Sequence, residues 1–474
     1  MNLAVYDLMF LAIFLIFLAV FLYRKKKNIQ RQGLLLLYRA NWGIKLINKV
    51  GKKYEKLLTK LSYVSIGMGY LLMIGVLYLI GKIVYIYTTN LQLVRAIAIP
   101  PIMPLIPYID KIVPNLGLPP FYFTYWIVII AIIAVTHEFA HGIFASLNKV
   151  KIKKTGFGFF PFFLPIFLAA FVELDEKNME KKSKFSQMAV LAAGTFSNIL
   201  TTIFFFIIMW LFFSLSFAPT GLIFDDYAYD VVGIEGITMV NGVAITNATY
   251  EKVSNLINEE GLNKIQTENR NYVSTKEFLD TQGKIYNYTF LYYDSPAINV
   301  GLEGAITNIN DVKITSLDIF QVELSKYSPG DEIIIKTIVE KDIKSYNIIL
   351  GENPNEEGPG YLGVGFRDTS RSGVMGKVID FMSSFKKINI HYESKFEAAW
   401  FIYNLLWWLV LISFSVALIN MLPVGIFDGG RFFYLTILGL TKSKAKAEKT
   451  SKFVTRFFLF LLLLLMVLWA ISFF

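Results

Sequence analysis

The sequence predicts a polytopic α-helical membrane protein of about six transmembrane helices, with a membrane-embedded β-hairpin and an extracytoplasmic α+β insert. Three observations predict this fold class. Of the 474 residues, 55% are hydrophobic and only 17% are charged, which is typical of membrane proteins. Apolar runs long enough to cross a bilayer alternate with clusters of Lys and Arg. Residues 218–370, in contrast, are polar and show the alternation of β-strands.

The N-terminal region, residues 1–90, is expected to hold two anchor helices joined by a basic loop. Its apolar runs are 4–23 and 62–88, and residues 24–60 between them hold twelve Lys or Arg against the single acid Glu55. A basic run can bind nucleic acid, but between two apolar spans the positive-inside rule explains it better. We therefore expect a cytoplasmic loop, an outer N-terminus and no nucleic-acid partner.

Residues 91–120 are expected to form a proline-rich segment, and residues 121–217 the first part of a membrane core. Seven prolines in the first segment forbid a regular helix, so we expect an outer-face or re-entrant course. The segment 121–217 contains helical patterns at about 122–147 and 187–213. Between them, residues 156–172 are apolar but broken by Gly and Pro, which predicts a hairpin dipping into the membrane, with a sheet edge that could receive an extended substrate.

The polar segment 218–370 contains a weak internal repeat. Asn241 and Asn310 are 69 residues apart, as are Ile245 and Ile314, and similar residues surround each pair. A repeat at this spacing predicts two copies of a small domain.

The C-terminal part is expected to complete the membrane core. Residues 371–397 have mixed composition and are interpreted as an interfacial linker, in which His391 is isolated and is expected to face solvent. Residues 398–441 form the second part of the core, and 442–474 a basic loop and a last transmembrane helix. Because every basic cluster then falls on the cytoplasmic side, both termini and the insert are expected outside the cytoplasm.

One motif concentrates chemistry on the helix at 122–147. His137 and His141 are four residues apart, so both imidazoles lie on one helix face and can hold a metal ion, usually zinc. Glu138 lies beside them, where a carboxylate can accept a proton from water. The plainer alternative is a pair of histidines hydrogen-bonded to nearby backbone. Ionisable groups within an apolar span are nevertheless functional candidates by default.

A catalytic zinc site needs three protein ligands, and the sequence contains no cysteine to supply a thiolate. Two carboxylates compete for the third position. Glu173 lies 32 residues after His141, and a downstream glutamate is the usual third ligand in soluble zinc enzymes with two histidines at this spacing. Asp428 lies in a nearly uncharged stretch of Gly and Pro that lets the backbone bend toward a metal. We favour Asp428 over Glu173, although Asp428 could instead cap a short helix.

Two motifs together resemble those of the site-2 protease family of intramembrane zinc metalloproteases, in particular its archaeal and bacterial members. They are His137-Glu138-Phe139-Ala140-His141 and Asn420-Met421-Leu422-Pro423 followed by Asp428-Gly429. The resemblance implies one Zn²⁺ per chain, bound by His137, His141 and Asp428. It also implies that Glu138 is the general base and that Asn420 stabilises the oxyanion.

The resemblance extends to other parts of the chain. Gly194-Thr195-Phe196-Ser197-Asn198 is similar to a family segment, although many relatives have Pro after the Gly. The insert looks like the family's PDZ module, here in tandem, through Ser295-Pro296-Ala297, Gly301-Leu302 and Pro329-Gly330-Asp331. These likenesses imply cleavage within the transmembrane segments of membrane proteins, at an active site toward the cytoplasm, with the insert filtering substrates by their outer parts.

Two other classes of function remain open from the sequence. A metal transporter could use His137, His141 and Asp428 as a transit site, but it would not need Glu138, and the chain lacks a recognisable inverted repeat. A non-proteolytic scaffold could bind partners through the insert, but it would not need an intact zinc motif. The sequence gives no indication of the oligomeric state.

Overall fold

The computed structural model describes residues 3–32, 35–90, 94–95, 100–101, 103, 105–112, 117–159, 168–282, 287–340, 342–366 and 373–471. Its helices are α1 (Leu3–Arg24), α2 (Ile44–Lys53), α3 (Glu55–Thr89), α4 (Ile109–Ile112), α5 (Phe123–Leu147), α6 (Glu176–Glu180), α7 (Lys184–Ser216), α8 (Tyr250–Leu256), α9 (Lys276–Gln282), α10 (Pro296–Asn299), α11 (Leu317–Leu324), α12 (Gly373–Ser383), α13 (Ala399–Asn420), α14 (Asp428–Thr441) and α15 (Lys444–Ile471).

The strands are β1 (Ile29–Gln32), β2 (Leu35–Ala40), β3 (Ile152–Phe159), β4 (Leu168–Leu174), β5 (Phe217–Ile223), β6 (Asp226–Tyr227), β7 (Tyr229–Gly233), β8 (Ile237–Val240), β9 (Val243–Ala244), β10 (Asn263–Thr267), β11 (Asn271–Ser274), β12 (Tyr288–Tyr293), β13 (Ala305–Ile309), β14 (Val312–Lys313), β15 (Glu332–Val339), β16 (Asp342–Ile349), β17 (Val364–Gly365) and β18 (Ile390–Ser394).

Six helices among the described residues are long and apolar enough to cross a bilayer, namely α1, α3, α5, α7, α13 and α15. This confirms the predicted polytopic membrane protein. The chain divides into two compact units, of which the first comprises Met1–Leu211 and Trp400–Phe474 and the second Phe212–Ala399. The first unit contains all the residues of the predicted metal site.

The N-terminal region contains more than the expected anchors and loop. Within the predicted basic loop 24–60, β1 and β2 form an antiparallel pair, and β2 also pairs with β3. The result is a four-stranded sheet in the order β1-β2-β3-β4. The interpretation of residues 1–90 as anchors and a loop is therefore incomplete, because the basic segment supplies half of the sheet in the membrane unit.

Helix α2, also within the predicted loop, packs directly against the zinc-motif helix α5. A Cβ placed on Gly142 would lie 3.0 Å from Ile47, and one placed on Gly51 would lie 2.8 Å from the Ser146 hydroxyl. Glycine on each helix thus lets the two backbones approach closely. Ile47, the residue of α2 that faces α5, is fully buried.

Asp7 of α1 caps the N-terminus of α5. Its carboxylate accepts hydrogen bonds from the backbone N–H groups of Phe123 and Thr124 at 3.0 and 2.8 Å, and from the hydroxyls of Thr124 and Tyr108 at 2.7 Å. The first N–H groups of a helix have no partner within the helix and favour an anion. Asp7 is 3% exposed, and these four donors satisfy its buried charge.

The predicted hairpin 156–172 corresponds to β3 and β4, which pair with Gly156 opposite Phe171. Its tip, residues 160–167, lies outside the described residues, as do 91–93, 96–99, 102, 104 and 113–116 of the proline-rich segment. The membrane depth of the hairpin and the re-entrant course of 91–120 stay predictions.

The second unit contains two larger sheets, ordered β7-β12-β11-β10-β8-β9 and β16-β15-β13-β5-β18. Corresponding turns reproduce the repeat found in the sequence. Asn241 and Asn310 both have positive φ, at 51° and 48°, in the turns β8–β9 and β13–β14. Each side-chain oxygen accepts from a backbone N–H of the neighbouring strand, that of Lys264 or Ile334. The repeat in the sequence thus corresponds to two similar turns, and the presence of two copies of a PDZ-like domain stays a prediction.

The insert continues beyond the predicted boundary at residue 370. Residues 371–397 were expected as a linker, but β18 within them pairs with β5, so that Ser394 lies opposite Phe217. His391, expected to face solvent, lies in β18 and is partly buried. Composition alone did not predict this strand, because β18 is short and its partner precedes it by more than 160 residues.

Candidate metal centre

The helix α5 carries the two histidines on its buried side. Its upstream turns are apolar and pack through Tyr125, Ile129 and Ile133, all buried, which fixes the rotation of the helix. His137 and His141, one turn apart, are each 9% exposed. Their ring nitrogens Nε2 lie 3.0 Å apart. Neighbouring imidazole nitrogens directed at one point are the arrangement that a metal ion requires.

Asp428 is the first residue of α14, and two glycines bring it to the histidines. A Cβ on Gly429 would meet the carbonyl carbon of Met421 and lie 2.5 Å from the Leu422 carbonyl oxygen, and one on Gly430 would lie 2.7 Å from Gly425 Cα. Only glycine therefore allows the turn at 421–425 to fold back onto the start of α14. This is the backbone bend that the composition of the stretch predicted.

The three side chains converge at one point. Asp428 Oδ2 lies 3.3 Å from His137 Nε2 and 3.2 Å from His141 Nε2, and all three ligand atoms lie within 4.8 Å of one another. A tetrahedral ion with ligand bonds of about 2.05 Å separates its ligands by about 3.3 Å. The donor set and its spacing thus fit a zinc ion.

Gly194 of α7 lies across this point from the ligands. A Cβ placed on it would lie 2.6 Å from His137 Nε2, and closer still to His141 Nε2. Any side chain at this position would therefore occupy the space in front of both ring nitrogens. The absence of a side chain keeps a cradle open where the ligand atoms meet, a second observation that fits a bound ion.

The remaining ring nitrogens are held by α7. His141 Nδ1 lies 2.7 Å from the carbonyl oxygen of Val190, which can only accept, so Nδ1 carries the proton and Nε2 keeps its lone pair for a metal. His137 Nδ1 lies 3.1 Å from the amide nitrogen Nδ2 of Asn198, and the buried Oδ1 of the same amide has no hydrogen-bond partner among the described residues. With the amide turned so that Oδ1 faces Nδ1, His137 acquires the same tautomer.

We expect Asn198→Ala to lower zinc affinity about 10- to 100-fold, because such partners orient a ligating histidine and fix its tautomer. Asn198→Asp keeps an acceptor oxygen at the same place, so its zinc affinity should be closer to that of the wild type. Competition with a chromophoric chelator measures both affinities. An alanine variant that binds zinc as tightly as the wild type would contradict this role.

Glu138 does not join the three ligands but is bound to the sheet. Its Oε2 accepts a hydrogen bond of 2.8 Å from the backbone N–H of Val172 in β4. Because β4 pairs only with β3 among the strands that the structure describes, this N–H lies on its free edge. The carboxylate next to the histidines is therefore also next to a sheet edge.

The other candidates lie as follows. Glu173 is 3.7 Å from Arg39 Nη2 and is not part of the His137–His141–Asp428 group, so Asp428 is the carboxylate that the structure brings to the histidines. Asn420 is the last residue of α13 and is half-buried. Its amide makes no hydrogen bond to the residues that the structure describes, and its role stays a prediction.

Sequence reasoning missed three contributors to the site, namely the Val190 carbonyl, the Val172 N–H and the space at Gly194. Two of these are backbone groups, which leave no mark on a sequence. Small residues such as Ala192, Ala193 and Gly194 permit close helix packing, but they do not indicate that the packing partners are the two histidines.

Comparison with known protein families matches residues 125–465, more than half of the chain, to peptidase family M50. The matched region begins within α5 and ends within α15. It thus includes His137, Glu138, His141, Asn420 and Asp428. No curated protein matches the chain.

Proposed function

Because the chain belongs to peptidase family M50, the site-2 protease family, we propose that it hydrolyses peptide bonds within the transmembrane segments of membrane proteins, using one zinc ion. The observation that carries this proposal is the convergence of Asp428 of α14 on His137 and His141 of α5, the helix that also presents Glu138. The test is cleavage of a single-span membrane substrate by the purified protein, with Glu138→Gln as the inactive control. Failure to cleave any such substrate, with zinc bound, would overturn the proposal.

The residues that would hold the ion are His137 Nε2, His141 Nε2 and one Asp428 oxygen, the three protein ligands that a catalytic zinc ion needs when water is to bind as well. A zinc ion bound there would lower the pKa of a water molecule to about 7 and would polarise a carbonyl group. The carboxylate of Asp428 is the most exposed of the three ligands, at 23% compared with 11% for each histidine side chain. Its exposure supports access of water from that side.

The proposed proton acceptor is Glu138. Its carboxylate takes a proton from the attacking water and later gives it to the leaving amine nitrogen, so that one group serves as base and then as acid. Asn420 is proposed to donate from its side-chain amide to the oxyanion of the tetrahedral intermediate. The availability of this amide supports the assignment, because it has no other hydrogen bond among the described residues.

The free edge of β4 is the proposed binding site for the substrate backbone. A peptide bond in a helix is hydrogen-bonded and shielded, so a transmembrane substrate must become extended before hydrolysis. An extended segment can add to an exposed sheet edge through main-chain hydrogen bonds. The contact between Glu138 and the Val172 N–H supports this edge, because a segment bound there would lie beside the proton acceptor.

We expect Ala170→Pro to slow cleavage by about tenfold or more while leaving zinc content unchanged. Residues of a strand alternate in hydrogen-bonding direction, so the N–H of Ala170, two residues before Val172, also points to the free edge. Proline removes that N–H but spares the bonds to β3. Ala170→Val keeps the N–H and is the matched control. Equal rates for the two variants would contradict binding at this edge.

Replacing both Gly156 and Gly158 by larger residues would not be a good test of substrate binding at the free edge of β4. A Cβ on Gly156 would meet the backbone carbonyl of Tyr38 and lie 2.7 Å from the Phe171 ring. A larger residue there would disrupt β2 and β4 themselves, so loss of activity would not distinguish substrate binding from folding.

The insert is proposed to exclude substrates whose outer parts have not been trimmed. Because Phe217 lies opposite Ser394, and such Cα atoms are about 5 Å apart, deleting 218–393 and inserting Asn-Gly should close the gap without strain. The deletion variant should cleave an untrimmed substrate at least about tenfold faster than the full chain. Unchanged cleavage of that substrate, with zinc still bound, would contradict the filter.

The proposed location is the cell membrane, with the termini and the insert outside and the site toward the cytoplasm. The support is the distribution of Lys and Arg, which cluster between alternate spans.

A transporter using the same ligands remains the second candidate. Its distinguishing property is that Glu138→Gln would leave metal transport intact, whereas a protease would lose activity.

A further inference from the structure

We propose that α2 binds the anionic headgroups of the bilayer through a lysine face, formed by Lys45, Lys49, Lys52 and Lys53, and that this binding holds α2 against the zinc-motif helix α5. The direct binding test does not depend on the proposed function. Only the effect on activity rests on it.

The inner face of α2 contacts α5 beside the metal ligands. Ile47 is fully buried and lies against Gly142, the residue after His141. The Trp42 ring, just before α2, lies 5.8 Å from that of Phe139, which sits between the two histidines in the chain. A displacement of α2 would therefore alter contacts within two residues of both proposed ligands.

The outer face of α2 is the lysine face. At 100° per residue, these four side chains lie on the side of the helix opposite to Ile47 and Gly51, and all four are exposed. Among the described residues, no carboxylate lies within ion-pair distance of any of them. The whole stretch from Arg24 to Tyr54 contains no Asp or Glu. The face thus carries four positive charges that the described part of the protein does not neutralise.

The surroundings of the lysine face favour a membrane surface over a nucleic acid. Exposed apolar side chains flank it, with Trp42, Leu46, Tyr54 and Leu57 each 42% to 55% exposed. Both ends of the segment continue into candidate membrane spans, α1 and α3, so α2 is held close to the bilayer. A short helix with lysines beside Trp and Leu is typical of segments that lie in the headgroup region.

The experiment reconstitutes the full chain in vesicles of phosphatidylcholine alone or mixed with phosphatidylglycerol. The test variant carries Lys→Gln at Lys45, Lys49, Lys52 and Lys53. The matched control carries the same change at four exposed lysines at the start of α15, Lys444, Lys446, Lys449 and Lys452. Two quantities are measured, namely hydrogen–deuterium exchange of the backbone amides of residues 44–53 and the rate of substrate cleavage.

We expect phosphatidylglycerol to slow amide exchange in α2 at least about fivefold and to raise the cleavage rate by at least the same factor. This is the change in affinity that one lysine contributes at a negatively charged membrane surface. The α15 variant should keep both effects and the α2 variant should lose both. Salt should weaken both effects by screening. If no protein cleaves substrate in any vesicle but exchange still responds, the proposed function fails and the lipid site stands.

Two results would overturn the lipid site. One is exchange in wild-type α2 that is the same in both kinds of vesicle, or that responds equally in the α2 variant. The other is protection of α2 by an RNA oligonucleotide in neutral vesicles without any effect of phosphatidylglycerol, which would assign the lysine face to nucleic acid.

Discussion

Gly194→Ala should abolish both zinc binding and proteolysis while leaving the protein folded. The added Cβ would lie 2.6 Å from His137 Nε2 and closer to His141 Nε2, in the space where the three ligand atoms converge. Neither imidazole can move away easily, because the other nitrogen of each is held by Val190 or Asn198. We expect zinc content near zero and a fall in cleavage rate of at least about 100-fold.

The fold should survive this substitution, because alanine favours a helix interior over glycine by roughly 0.5–1 kcal/mol. The control is Gly67→Ala in α3, another glycine in a candidate span, where an added Cβ meets no atom within 4 Å. It should keep full zinc content and activity. Normal zinc binding by the Gly194 variant would mean that the ligands do not converge beside α7.

Asp428→Asn should also remove most of the metal affinity, whereas Glu173→Gln should not. Asp428 Oδ2 lies 3.2–3.3 Å from both histidine nitrogens, and the asparagine keeps the size of the side chain while removing its charge. Loss of a direct ligand should exceed the 10- to 100-fold effect typical of outer partners, so we expect more than about 100-fold weaker zinc binding.

Glu173→Gln is the matched control, because both changes convert a carboxylate to an amide within the membrane unit. Glu173 is near Arg39 and not among the converging ligands. Zinc affinities measured by chelator competition should therefore separate the two variants clearly. A larger loss in the Glu173 variant would reverse the assignment of the third ligand.

The sequence predicted the local features of the site well. The spacing of His137 and His141 alone implies a shared helix face, and an isolated carboxylate among glycines at Asp428 implies a bent backbone. The 69-residue repeat likewise corresponds to two similar turns, because Asn241 and Asn310 each have positive φ. In each case a local conformational requirement restricts the residue type, so the requirement is visible in the sequence.

Long-range pairings were not predictable in the same way. Strand β2 pairs with β3, more than 110 residues later, and the basic charges around it indicated only the side of the membrane. In the sequence Gly194 is one of several small residues in a helix, and only the structure shows that it lies against α5. Nothing in the sequence connects Asp7 with α5, although Asp7 caps this helix, which carries the proposed metal ligands.

The most direct test of the central claim compares the wild type with Glu138→Gln in detergent, measuring cleavage of a single-span substrate and zinc content together. Glutamine keeps the shape of the side chain but cannot take up the proton. We predict cleavage by the wild type alone, with one zinc ion retained by each protein. Equal cleavage by both, or absence of zinc from the active wild type, would contradict the account.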